Sequence, residues 1–185
     1  MKQNISLVDS ITLVEKRYTK MATAKENNIV ELNLDEKVTV RSIAGWNVGF
    51  ARVADGAIGD VNIAKRGTAR LTRNEIIAQV QNGNKLFVGI DGNGSHATLI
   101  IEDTPTRVEV DFETEDGSVK QQVFSNDLVK ELFKIQNQAT FESRLREAIC
   151  TRAEKFAIIE AIKELKLNDY SKIRFVESYT GYRLQ

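Results

Sequence analysis

One cysteine, one proline and one histidine are all that the 185 residues hold of those three types. The lone Cys150 excludes an intrachain disulfide and any multi-cysteine metal site. It falls within a helical pattern and reads as a small buried hydrophobe rather than a reactive thiol. The lone His96 has no second histidine, no Ser-x-Gly elbow and no neighbouring cysteine with which to form a triad. Excess charge is lacking too, because 26 basic and 26 acidic side chains cancel. A binder of nucleic acid usually carries a basic stripe, so nucleic acid is not an expected partner. No apolar run reaches the length of a membrane span, which argues against a membrane partner. Ile5–Val14 is interrupted by Asp9 and Ser10 and makes a poor signal peptide.

What is present suits a domain with a substantial core: 42% of residues are hydrophobic and 28% charged. Residues 1–28 read as an N-terminal arm. Ile5, Val8, Ile11 and Tyr18 fit one helical face, the β-branched content equally suits an extended segment, and either form suits contact with the body or a neighbouring subunit. Residues 29–124 form a β-rich region. Ile29–Leu34, Val38–Ile43, the glycine-bent run Gly45–Val53 and Val61–Ile63 alternate or are β-branched. Thr72-Arg73-Asn74-Glu75 has the form of a capping box, and Gly83 ends the short helix that it starts. Leu86–Ile90 and Ala97–Ile101 flank Asp91-Gly92-Asn93-Gly94, which predicts a central β-hairpin, and Arg107–Phe112 with Val119–Phe124 predicts a second. Residues 125–185 turn helical: a helix capped by Ser125, a long amphipathic helix over Thr140–Lys166, then a short strand at Ile173–Val176.

The stretch Leu86-Phe-Val-Gly-Ile-Asp91-Gly-Asn-Gly94-Ser-His-Ala-Thr-Leu-Ile-Ile resembles the phosphate-1 hairpin of the sugar-kinase, heat-shock ATPase and actin superfamily. That resemblance implies nucleotide phosphates held by Asp91, Gly92, Gly94 and Ser95, the aspartate organising a metal. Arg70 and Arg73 beside the capped helix start are further candidate anion contacts. The plain turn is the competing reading. Asp55, Asp60, Asp91 and Asp103 all lie in turn or connector segments, where aspartate serves the backbone. The residues therefore assign no catalytic group, no cofactor and no metal.

The expected fold is α+β: an antiparallel β-sandwich or partly open barrel with a short inserted helix and a C-terminal helical pair. Balanced charge, an arm and no catalytic set point to a non-enzymatic structural or assembly protein, an oligomer whose partners are protein subunits. Tyr179 and Tyr182 in the tail are candidate interface residues beside those of the arm. A bacteriophage virion component, capsid-associated or of the head–tail or tail, fits this description best and places the protein in the virion or host cytoplasm. The alternatives are a phosphate- or nucleotide-binding protein, and an inhibitor or regulatory module docking on a host protein.

Overall fold

Alternation along Lys37–Ser42 turns Val38, Val40 and Ser42 inward and makes the first strand, β1. The computed structural model describes residues 32–117 and 121–184. The arm residues Ile5, Val8, Ile11 and Tyr18 lie outside them, as does the first half of the Ile29–Leu34 strand, and residues 32–34 are not in a strand. β1 is the centre of a three-stranded antiparallel sheet with β4 (Thr68–Thr72) and β5 (Leu99–Ile101) at its sides. Val40 pairs with Ala69 on one side and Ile101 on the other. β2 (Val48–Ala51) and β3 (Asp60–Ile63) form a separate antiparallel pair joined by the loop 52–59.

Seven helices complete the described residues: α1 Arg73–Gln81, α2 Lys85–Val88, α3 Thr104–Glu109, α4 Asn126–Lys134, α5 Gln138–Ala148, α6 Arg152–Glu164 and α7 Tyr170–Thr180. Each opens on a side-chain cap, from Thr72, Asn84, Asp103, Ser125, Asn137, Thr151 and Asp169 in turn. One apolar core runs through strands and helices alike, with Val40, Ile76, Phe87, Phe141, Leu145, Ile149, Ile158 and Val176 fully buried. Arg66 reaches from the β3–β4 turn to Glu160 and Glu164 on α6, and Arg152 lies 4.5 Å over the Trp46 ring.

Among the described residues the sheets hold three and two strands and close no barrel, so the sandwich or barrel reduces to a mixed α/β fold with small antiparallel sheets. The central hairpin is not formed. Lys85–Val88 is a helical turn capped by Asn84, and only Leu99–Ile101 of the second half is strand. The second hairpin is not formed among the described residues either, because Asp103 caps α3 with Pro105 in its first turn, the place where proline suits a helix. The long helix over Thr140–Lys166 is two helices broken at Ile149–Thr151. The terminal strand at Ile173–Val176 is part of α7, which Asp169 starts and Gly181 ends in the left-handed conformation. The C-terminal helical pair is thus four helices.

Candidate functional site

Thr72 caps α1 as its sequence requires, accepting from the Glu75 amide at 3.2 Å. Glu75 goes elsewhere. Its side chain, 1% exposed, crosses to the β2–β3 loop and accepts the amides of Val53 at 3.0 Å and Ala54 at 3.3 Å. Gln79, one turn on, donates to Glu75 at 2.8 Å and to the Ala51 carbonyl at 2.7 Å, and itself accepts from Asn84 at 2.6 Å. A buried carboxylate is costly unless its oxygens are satisfied, and here they are satisfied by the base of the loop. Arg52 N donates to the Gly59 carbonyl and Ala57 N to that of Ala54, which fixes the rest. Beyond this locked base Ile58 stands 92% exposed, with Val53 41% exposed beside it.

A second polar cluster holds the Asp91–Ser95 turn. Asp91 Oδ1 accepts the amides of Asn93 at 2.8 Å and Ser95 at 3.1 Å, while Gly94 N donates to the Val88 carbonyl. Partial burial pushes the Asp91 carboxyl up, but the hydrogen bonds from Asn93 and Ser95 outweigh it and hold the group below its ordinary range. The amides of Asn93, Gly94 and Ser95 are therefore bonded within the protein. The Ser95 hydroxyl accepts from Gln122 N, and the Gly92 position opens to solvent. Next to the turn His96, at φ +59°, sets Nδ1 2.8 Å from Glu154 Oε1. Glu154 is 1% exposed, and its other oxygen accepts from the Cys150 and Thr151 amides and the Thr151 hydroxyl.

Cys150 is not buried, as its helical pattern had implied, but exposed, with Sγ bonded to the carbonyls of Arg146 and Glu147. Partial desolvation and the charge of Glu154 push its thiol up, away from the nucleophilic thiolate.

Arg70 is exposed and donates to the Lys37 carbonyl at 2.6 Å. Arg73 is buried, its guanidinium forked onto Asp103 at 3.1 and 3.3 Å and paired also with Glu36. Burial pushes the Asp103 carboxyl up, and hydrogen bonds from Arg73 and Thr106 more than reverse this, leaving it lowered. A lowered folded-state pKa adds stability above the unfolded value of about 3.9, and that stability is lost as pH falls through the folded value. Asp103→Asn should accordingly be less stable than wild type at neutral pH. The gap between their urea midpoints should close as pH drops below about 4. An unchanging gap across that range would sink this assignment.

The tail tyrosines are half-buried. Tyr179 donates to the Ile149 carbonyl at 2.7 Å and stacks on Phe175 beneath Arg146 and Lys155, and Tyr182 meets Phe156 edge-on. Among the described residues no group of three or more His, Cys, Asp or Glu could hold a metal ion. Among them also, no helix is long and apolar enough to cross a membrane. The anchored loop was missed from sequence: the Thr72-x-x-Glu75 pattern names a local partner for Glu75, and nothing in it points to Val53. No protein-family model, curated protein or solved structure matches the chain.

Proposed function

We propose that the protein is a non-enzymatic assembly protein that works through subunit contacts. The observation that carries this reading is Ile58, held almost fully in water on a loop whose base is locked by the buried Glu75. An isoleucine so exposed would release ordered water and gain burial on covering by a partner, and pre-setting the loop lowers the ordering cost of that contact. The internal bonding of Asp91 and Arg73 supports the same reading over nucleotide binding, since their polar groups are engaged in the fold. Together with the balanced charge and the N-terminal arm of the sequence, this fits a bacteriophage virion component, capsid-associated or of the head–tail or tail, located in the virion or host cytoplasm.

Light scattering on the full chain, on a chain lacking residues 1–20 and on Ile58→Asp tests it. The full chain should be oligomeric, and Ile58→Asp should weaken association by roughly tenfold or more while leaving thermal unfolding within about 0.5 kcal/mol of wild type. Loss of association on truncation would make the arm a clasp between subunits. A full chain that stays monomeric at all concentrations would overturn the reading.

A further inference from the structure

Five Asx–Gly pairs punctuate the chain: Asp55-Gly56, Asn82-Gly83, Asp91-Gly92, Asn93-Gly94 and Asp116-Gly117. In such a pair the glycine nitrogen can attack Cγ of the preceding side chain and close a succinimide, because glycine lacks the Cβ that hinders the approach. The attack needs a glycine N–H that is not already bonded and a side chain free to swing onto it.

Four of the pairs fail that requirement. Gly83 N donates to the Val80 carbonyl, and the Asn82 side chain donates to that of Ala78. The Asp91 carboxylate is held on the amides of Asn93 and Ser95. Gly94 is buried with its N–H on Val88, and Gly117 N donates to Thr114 while Asp116 accepts from the Thr114 hydroxyl. Asp55-Gly56 is different. Both residues are exposed, the space around the Gly56 Cα is open, and among the described residues neither the Asp55 carboxylate nor the Gly56 amide has a hydrogen-bond partner.

We infer that Asp55-Gly56 is a self-modification site at which the folded protein converts aspartate to isoaspartate through a succinimide. The Gly56 nitrogen bonds to Asp55 Cγ, and its proton leaves with the carboxyl hydroxyl as one water. A second water opens the ring at either carbonyl, so aspartate and isoaspartate are isomers and no other reactant is needed. Opening at the α-carbonyl routes the main chain through the side-chain carbon and lengthens the loop by one methylene. Ile58 lies three residues further on, so the reaction reshapes the loop assigned above to subunit contact. The chemistry at Asp55 stands whether or not that assignment does.

The test is a time course of native and urea-unfolded protein held at mildly acidic pH and body temperature. Isoaspartate is read by methyl transfer from S-adenosylmethionine with an isoaspartyl methyltransferase, and placed by peptide mapping. In the native protein it should build up at position 55 roughly tenfold faster than at positions 82, 91, 93 or 116, where folding must first open locally. Urea should abolish that selectivity, bringing the other aspartate pairs, at positions 91 and 116, up to the rate at 55. Asp55→Glu, which would need a larger ring, should remove the native signal. Equal native rates at 55 and 91, or a signal at 55 only after unfolding, would overturn the inference.

Discussion

Replacing Gly89 with alanine is expected to cost at least about 3 kcal/mol of stability. Gly89 ends α2 at φ +65° and ψ −149°, a region that side chains with a Cβ almost never enter. A Cβ there would sit 1.9 Å from the Ser95 carbonyl oxygen, 2.8 Å from its carbon and 3.1 Å from Ala97 N. All three are backbone atoms, so no side chain can step aside. The same carbonyl accepts from Ile90 N, and moving it drags the neighbouring His96 away from Glu154. Gly92→Ala is the control: φ there is +84°, but nothing lies within 4 Å of the added methyl. It should cost only the conformational penalty of about 1 kcal/mol. Urea unfolding followed by Trp46 fluorescence separates the two. Equal losses would mean that the close approach to Ser95 is not a constraint of the fold.

Glu154→Ala is the second large effect expected. Glu154 is 1% exposed and accepts from the Cys150 and Thr151 amides, the Thr151 hydroxyl and His96. Removing this buried acceptor takes the partner from the part-buried amides of Cys150 and Thr151, the Thr151 hydroxyl and His96 at once, which costs about 3 kcal/mol. Glu154→Gln keeps one oxygen for the two amides. It presents an NH2 group to His96, whose neutral ring can accept at Nδ1 in the other tautomer, so its loss should be about 1 kcal/mol. Chemical denaturation at neutral pH distinguishes the pair. An alanine variant no worse than the glutamine one would show that water replaces the carboxylate.

Local chemistry was the legible part of the sequence. Alternation gave β1, Thr72 and Ser125 gave two helix starts, and Gly83 gave a helix end, because each signal acts within a few residues. The failures came from reading composition where a cap decided the outcome. Leu86-Phe87-Val88 is apolar on every side because Phe87 and Val88 are buried in the core, and a continuous apolar run has no period to tell strand from helix. Val108, Val110 and Phe112 do alternate, yet Asp103-Thr-Pro-Thr starts a helix ahead of them. The stripe through Ile149 hides a break, although Thr151-x-x-Glu154 is a complete capping box within it. Asp169 and Gly181 bracket the last helix in the same manner.

The candidate sites were less legible because their bonds are distant in sequence. His96 meets Glu154 from 58 residues away, Arg73 meets Asp103 from 30, and Glu75 meets Val53 from 22. The capped helix start offered Arg73, and the phosphate-1 resemblance offered Asp91, as candidate anion or nucleotide contacts. Asp103 and Glu36 take up Arg73 across the fold, whereas Asp91 is taken up within its own turn, by amides two and four residues on.

The unclosed sheets have a bearing on aggregation. Their strands are only three to six residues long, and unpaired main-chain groups at β-edges are templates for runaway strand addition. At β5 the Arg107 guanidinium donates to the Ile101 carbonyl at 2.7 Å, which removes one of those templates and adds a charge. Edges this short offer an incoming strand little purchase. Growth into fibrils is thereby disfavoured, and any contact made at the Ile58 loop is left to side chains, which can be specific and can end.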